Sequence, residues 1–266
     1  MASREWDPSQ YARFAAERSQ PFFDLLDLIE SGGASAPMAR AVDLGCGSGE
    51  LTAEAARRFG VREMVGVDSS PAMLDAAAAH AGDGLSFVAG DIAEWTADGD
   101  HDLVLANAAL HWVPDHPAVL ARWAAGLAPG GALAVQVPAN SDHPSHTCAG
   151  AVAEREPFRS AFDGDVPPDP VTQNVLAPED YATLLHDLGL RDVHVRLQVY
   201  GHLLDSTADV VEWTKGTTLT RFFKRLPHEL HDVYLDAYRR ELLGVLGERS
   251  PYLFPFKRIL FRARRP

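Results

Sequence analysis

The stretch Ala41-Val42-Asp43-Leu44-Gly45-Cys46-Gly47-Ser48-Gly49-Glu50-Leu51 constrains this chain more than any other. A short apolar run ends in three glycines at alternate positions, and helix-forming residues follow at once. A junction of this kind lets backbone approach a nucleotide-like ligand closely at the carboxyl edge of a parallel sheet. The surrounding residues, 39–137, alternate in the same way. Strands are expected at 41–44, 63–68, 85–88, 102–106 and 132–137, the last after the turn Pro129-Gly130-Gly131. Helices are expected at 49–59, 70–79 and 117–126, the second opened by Ser70-Pro71. Strands alternating with helices predict an α/β, doubly wound, mostly parallel sheet covered on both faces.

After Pro138 the pattern loosens. Residues 139–178 are rich in Pro, Asp, Ser and His and read as an irregular surface excursion. A helix is expected at 178–187 and a strand at 192–200. Residues 207–246 look helical, with Leu230, Val233, Tyr234, Ala237, Tyr238 and Leu242 on one stripe. A closing strand at 257–264 completes a seven-stranded sheet with a helical cap inserted before the last strand. The expected organisation is therefore an N-terminal helical lid over 1–30, a core over 31–200 containing the excursion, a cap over 201–256 and the closing strand in 257–266.

Charge narrows the partners. Among 266 residues, 24 basic residues face 37 acidic ones, for a net charge of −13. That field repels nucleic acid and anionic membranes, so a small molecule is the expected partner. Cys46 and Cys148 read as reduced thiols, and no apolar run is long enough to cross a membrane. A cytoplasmic monomer without a metal site is the expectation.

The glycine spacing also discriminates between ligands. A dinucleotide fingerprint needs Gly-x-Gly-x-x-Gly, and Glu50 in the first helical turn opposes a pyrophosphate there. The run Asp43 to Gly49 instead resembles the first motif of the Rossmann-like methyltransferases that use S-adenosylmethionine, a cofactor without phosphates and with a positive sulfur. Asp68 ends the second strand about 20 residues after the loop, where this fold offers a carboxylate to ribose hydroxyls. The resemblance implies that Asp91 in Gly90-Asp91-Ile92 meets the adenine amino group. Cofactor contacts are thus expected at Asp43, Gly45, Gly47, Gly49, Asp68, Ser69, Met73, Asp91, Ile92, Asn107, Ala108 and Trp112.

The segment Asn107-Ala108-Ala109-Leu110-His111-Trp112 lacks the two prolines and aromatic that follow the Asn or Asp in enzymes methylating base amines. Small-molecule chemistry is favoured. The opening Trp6-Asp7-Pro8-Ser9-Gln10-Tyr11-Ala12-Arg13-Phe14, Asp68-Ser69-Ser70-Pro71-Ala72-Met73, residues 107–116 and 131–138, and the ending Phe256-Lys257-Arg258-Ile259-Leu260-Phe261 resemble the trans-aconitate 2-methyltransferases. The likeness spans nearly the whole chain and is weakest over 139–178. It implies methyl transfer to a carboxylate of a tricarboxylic acid, giving a monomethyl ester. It also implies an N-terminal lid, in which Tyr11 and Arg18 close over the cofactor.

An aliphatic carboxylate is ionised at neutral pH, with a reference pKa near 4, and is already a nucleophile. No acid or base residue is assigned; His111 and Trp112 are expected to position. The other carboxylates need cations, and arginine grips them bidentately. Candidates lie in two clusters: Lys215, Arg221, Lys224 and Arg225 in the cap, and Lys257, Arg258, Arg262, Arg264 and Arg265 at the end. The expected substrate contacts are Arg258, Lys257, Arg221, Gln136 and Tyr238. The family often carries a basic residue after the position of Leu219, where this chain has Thr220. The alternatives are an acyl-carrier carboxyl or quinone C-methyltransferase, a cofactor-binding protein without turnover, and an NAD-dependent oxidoreductase.

Overall fold

The computed structural model describes residues 15–33 and 37–266, with side chains from residue 19 onward. One seven-stranded sheet runs in the order β3-β2-β1-β4-β5-β7-β6. Its strands are β1 (Arg40–Leu44), β2 (Glu63–Asp68), β3 (Leu85–Ala89), β4 (His101–Asn107), β5 (Leu127–Pro138), β6 (Arg191–Leu204) and β7 (Tyr252–Arg264). The pairs β1/β2, β2/β3, β1/β4 and β4/β5 are parallel, and β5/β7 is antiparallel. The interior strands β1 and β4 bury nearly every residue, whereas edge strand β3 leaves Ser86, Val88 and Ala89 exposed. Strand order reverses between β1 and β4, which sets a crevice at their carboxyl ends.

Two compact units divide the chain. The first holds Ser19–Pro138, Asn174–Gln198 and Arg258–Pro266. It carries most of α1 (Ala15–Ser31), then α2 (Glu50–Phe59), α3 (Pro71–Ala77), α4 (His116–Ala125) and α8 (Pro178–Asp187). Helix α2 buries Thr52, Ala55 and Phe59, a single stripe at helical spacing. Helix α3 starts where Ser70 Oγ accepts from Met73 N and Pro71 occupies the first turn, a position that needs no N–H donor.

The second unit is made chiefly of Ala139–Gln173 and Val199–Lys257. It contains α5 (Pro144–Ala153), α6 (Phe158–Ala161), α7 (Pro170–Asn174, less its last residue), α9 (Asp209–Lys215), α10 (Thr220–Phe223) and α11 (His231–Leu246). Its core packs Cys148, Ala149, Val152 and Ala153 of α5 with Trp213, Phe222, Tyr234, Tyr238 and Phe254.

Three expectations change. Residues 139–178 carry three short helices, and Ala139–Gln173 groups with the helices of 199–257, not with the sheet core. The buried stripe of α5 supplies the reason: it needs an apolar partner and finds it in α11, where Tyr234 donates to Ala149 O at 2.7 Å. The single helical run over 207–246 breaks into three helices and one tight 3-10 turn. The breaks fall at Gly216, which caps α9, and at Pro227, which cannot continue α10. Finally, Pro129-Gly130-Gly131 lies within β5, where the pairing with β4 shifts register between His101 and Leu103 and absorbs the extra residues.

Candidate active site

The glycine loop follows β1. Gly45, Gly47 and Gly49 adopt φ of 85°, 56° and 78°, a region that side chains other than glycine enter at a cost. At Gly45 a Cβ would overlap the Ala109 methyl, so the loop and the segment after β4 lie in direct contact. A Cβ on Gly47 would meet nothing within 4 Å, so that backbone faces open space.

Asp68 organises the loop. Its Oδ2 accepts from Gly47 N at 2.9 Å and its Oδ1 from Ser70 N at 2.8 Å. Gly45 N and Cys46 N donate to Val67 O at 2.8 and 3.1 Å. The end of β2 thus carries the loop on one side and the start of α3 on the other. Ser69 is exposed there and Met73 half-buried.

Asp43, also expected as a cofactor contact, ends its side chain against α2. It is 3% exposed, and its Oδ2 accepts from Thr52 Oγ1 of α2 at 2.6 Å. Burial pushes its carboxyl up to about 6; the Thr52 hydrogen bond opposes the shift and the charge of Asp68 adds to it. Asp43 therefore fixes the loop to α2 from below. Asp91, exposed after β3, accepts from Ala93 N at 2.8 Å, and the Ile92 carbonyl accepts from Trp123 Nε1 at 3.0 Å.

The segment after β4 closes the crevice. Ala108, a non-glycine at φ 52°, donates its N–H to Gln136 O at 2.9 Å. Asn107 Oδ1 is buried without a hydrogen-bond partner among the described residues. A 3-10 turn over Leu110–Trp112 buries His111 and leaves Trp112 55% exposed, with the two rings 4.7 Å apart. Asn174 Nδ2 donates to His111 O at 2.9 Å, a contact that no local residue pattern signals.

Register brings three polar side chains to one sheet face at this end. Asn107 pairs with Gln136, Gln136 with Leu260, and Pro138 with Arg258. Arg258 is 7% exposed and its Nη1 donates to Gln136 Oε1 at 3.3 Å; Gln136 is fully buried.

Seven of the other candidate cations have partners of their own. In the helical unit, Arg221 meets Asp169 at 3.3 Å, and the same carboxylate oxygen takes His146 Nδ1 at 2.7 Å. Burial alone would push Asp169 up, but these partners hold it at about 2. Lys257 pairs with Asp142, Lys215 with Glu212 and Arg225 with Asp165. Arg262 donates to Asp192 O at 2.7 Å, Arg264 to Gly130 O at 2.8 Å, and Arg265 to Leu127 O. These last three fasten backbone carbonyls. Tyr238, expected as a substrate contact, is fully buried in the core of the second unit, where its hydroxyl donates to Ser145 O at 3.0 Å. Tyr11 and the Arg18 side chain lie outside the described residues.

Comparison with known proteins places this arrangement. A family model described as a methyltransferase domain matches residues 41–131. The chain is 44% identical over 264 residues to the trans-aconitate 2-methyltransferase of Deinococcus radiodurans, covering 98% of each protein. It is 38% identical over 264 residues to the trans-aconitate 2-methyltransferase of Mycobacterium tuberculosis, covering 97% of this chain and 96% of that one. Among solved structures it is similar to phosphoethanolamine N-methyltransferase 2 of Haemonchus contortus in complex with S-adenosyl-L-methionine. There the TM-score is 0.55 at 16% identity, over 100% of this chain and 60% of that one. Geranyl diphosphate C-methyltransferase from Streptomyces coelicolor, solved with S-adenosyl-L-homocysteine, gives a TM-score of 0.55 at 17% identity over 97% and 82% of the two chains. At those identities the two structures share the fold alone. Full-length identity to the bacterial relatives goes further, and the chain belongs to the trans-aconitate 2-methyltransferase family.

Proposed function

We propose that this chain transfers a methyl group from S-adenosylmethionine to a carboxylate of trans-aconitate, yielding the monomethyl ester and S-adenosylhomocysteine. The observation that carries the reading is the 44% identity over 98% of both proteins, because the cofactor motif by itself is shared by methyltransferases of many substrates. The crevice fits the cofactor. The Gly47 backbone faces open space, Asp68 keeps lone pairs beyond its two amide bonds, and Asn107 Oδ1 is a buried acceptor without a donor among the described residues.

S-adenosylmethionine supplies an electrophilic methyl on a positively charged sulfur. In this reading Asp68 accepts the ribose hydroxyls, with Ser69 and Met73 beside it, and Asp91 with Ile92 receives the adenine. Gly45, Gly47 and Gly49 give close backbone approach. Asn107, Ala108, His111 and Trp112 bound the methionine end, and Tyr11 and Arg18 belong to a lid. Asp43 acts through Thr52 and the loop.

Arg258, braced by Gln136, holds a substrate carboxylate in a protein whose net charge is −13. Lys257 and Arg221, which pair with Asp142 and Asp169, are the other two candidates for that role. The reacting carboxylate is ionised already, so these residues have only to bind, orient and exclude water, effects worth on the order of 7–11 kcal/mol. Among the described residues no helix is long and apolar enough to cross a membrane. We place the chain in the cytoplasm, with both cysteines reduced, as a monomer that sedimentation velocity would check.

The test is incubation with S-adenosylmethionine and a panel of di- and tricarboxylates, read by mass spectrometry for the gain of one methyl. Trans-aconitate should lead. Methylation of a quinone or an acyl-carrier acid, with no tricarboxylate ester formed, would overturn the assignment.

A further inference from the structure

The segment that follows β4 is held at two successive carbonyls by side chains from outside it. Asn174 holds His111 O, as described above. The Leu110 carbonyl takes two donors, Val113 N at 2.9 Å and His116 Nε2 at 3.0 Å. His116 is 1% exposed, and its Nδ1 lies 2.7 Å from the Tyr181 hydroxyl. Tyr181 is itself fully buried in α8 and stacked on Phe261 of β7 at 4.6 Å.

Donor and acceptor counting fixes the protons. A carbonyl only accepts, so His116 Nε2 carries a hydrogen. In a neutral ring Nδ1 is then an acceptor, and the Tyr181 hydroxyl donates to it. The Tyr181 oxygen in turn accepts from Leu176 N at 3.4 Å. Every polar atom of the chain Leu110–His116–Tyr181–Leu176 is satisfied by one arrangement. Burial disfavours the charged ring, although the Leu110 and Val113 carbonyls and Asp115 pull the other way.

We propose that His116 is a positioning residue for methyl transfer: neutral and protonated at Nε2, it suspends the Leu110 carbonyl from Tyr181 and so sets where His111 and Trp112 stand. The proposal rests on the reading that these two residues border the reacting groups. Ala109, next to Leu110, touches Gly45 of the cofactor loop, so a shift in this turn reaches the crevice directly. A buried imidazole suits the role because its two nitrogens bond at fixed angles on opposite sides. A flexible donor would need the rest of the fold to order it.

Two variants separate positioning from mere packing. His116→Gln can place an amide nitrogen near the site of Nε2, whereas His116→Asn is shorter and cannot reach Leu110 O. For His116→Asn, kcat with trans-aconitate should fall about 10- to 100-fold, the loss expected of small misplacements. S-adenosylhomocysteine affinity should be little changed, and His116→Gln should recover most of kcat. Hydrogen–deuterium exchange should accelerate in peptides covering 107–116 for His116→Asn and not for His116→Gln. Equal kcat and equal exchange in both variants and the unaltered protein would overturn the proposal. So would equal losses in both variants.

Should the unaltered protein form no ester, the reaction reading fails, and the exchange arm still decides the role of His116. If His116→Asn binds no S-adenosylhomocysteine and is unfolded, Tyr181→Phe takes its place. It leaves Nδ1 without its donor and should accelerate exchange over 107–116; unchanged exchange there would overturn the proposal.

Discussion

Gly47 donates its backbone N–H to Asp68 Oδ2 at 2.9 Å, and this bond joins the glycine loop after β1 to the end of β2. With Ser70 N on the other oxygen, one carboxylate sets both the loop and the start of α3. A hydrogen bond to a charged group contributes about 1.5–3 kcal/mol, so Asp68 shapes the crevice before any ligand arrives.

Replacing Asp68 should therefore damage binding twice, by loosening the loop and by removing acceptors. Asp68→Ala is expected to weaken S-adenosylhomocysteine affinity about 100-fold, which corresponds to roughly 2.7 kcal/mol. Asp68→Asn, which keeps one acceptor, should fall between it and the unaltered protein. Isothermal titration with S-adenosylhomocysteine measures both, and affinities within a factor of a few of the unaltered protein would remove Asp68 from the site.

Asp43 gives a pH signature in the ligand-free protein. Its folded-state pKa, about 6, lies above the unfolded value near 3.8. Above the unfolded pKa the unfolded chain has lost the proton while the folded chain keeps it. Stability from this group therefore declines as pH rises from about 4 to about 6, by on the order of 3 kcal/mol in total. Asp43→Asn keeps the acceptor for Thr52 and abolishes the titration. Its Tm relative to the unaltered protein should be higher at pH 8 than at pH 5, and parallel curves of Tm against pH would count against a buried, titrating Asp43.

The glycine loop was legible because its information is local: positive φ at Gly45, Gly47 and Gly49 is a property of three glycines at alternate positions, and the apolar run before them can only be a central strand. Asp68 and Asn107 end β2 and β4, close to where the apolar runs stop. The part of the helical unit that precedes residue 174 was not legible. Residues 144–153 hide the buried stripe Cys148, Ala149, Val152 and Ala153 among polar neighbours, and the partner that makes it a core, α11, is distant in sequence. Basic residues were the least readable of all. Arg258 and Arg262 are four apart on one strand, yet one bonds a buried amide at the carboxyl end and the other the carbonyl of Asp192. Which acceptor a guanidinium meets depends on tertiary neighbours, and strand alternation says only which face it leaves.

Ala108 sits at φ 52° where its amide reaches Gln136 O, and the left-handed region costs a residue with a Cβ about 1–2 kcal/mol. A β-branched side chain fares worse there. Ala108→Val should lower stability by more than about 2 kcal/mol, whereas Ala108→Gly should stay within about 1 kcal/mol of the unaltered protein. Urea unfolding of the pair checks the order; equal effects would mean that the backbone there relaxes freely.

The last expectation concerns the bond between Arg258 and Gln136. Gln136 meets this buried guanidinium through a neutral amide oxygen. Gln136→Glu is nearly isosteric and inserts an anion against Arg258. The resulting pair would compete with a substrate carboxylate for the same donors, while the cofactor loop is untouched. The KM for trans-aconitate should rise about 10- to 100-fold, the scale of a lost charge-assisted contact of about 1.5–3 kcal/mol. Arg258→Lys should raise it similarly, because an ammonium cannot reproduce the planar fork. S-adenosylhomocysteine affinity should hold in both variants. If the KM for the acid is unmoved in both, the substrate cation is some other residue and Arg258 is a structural arginine of β7.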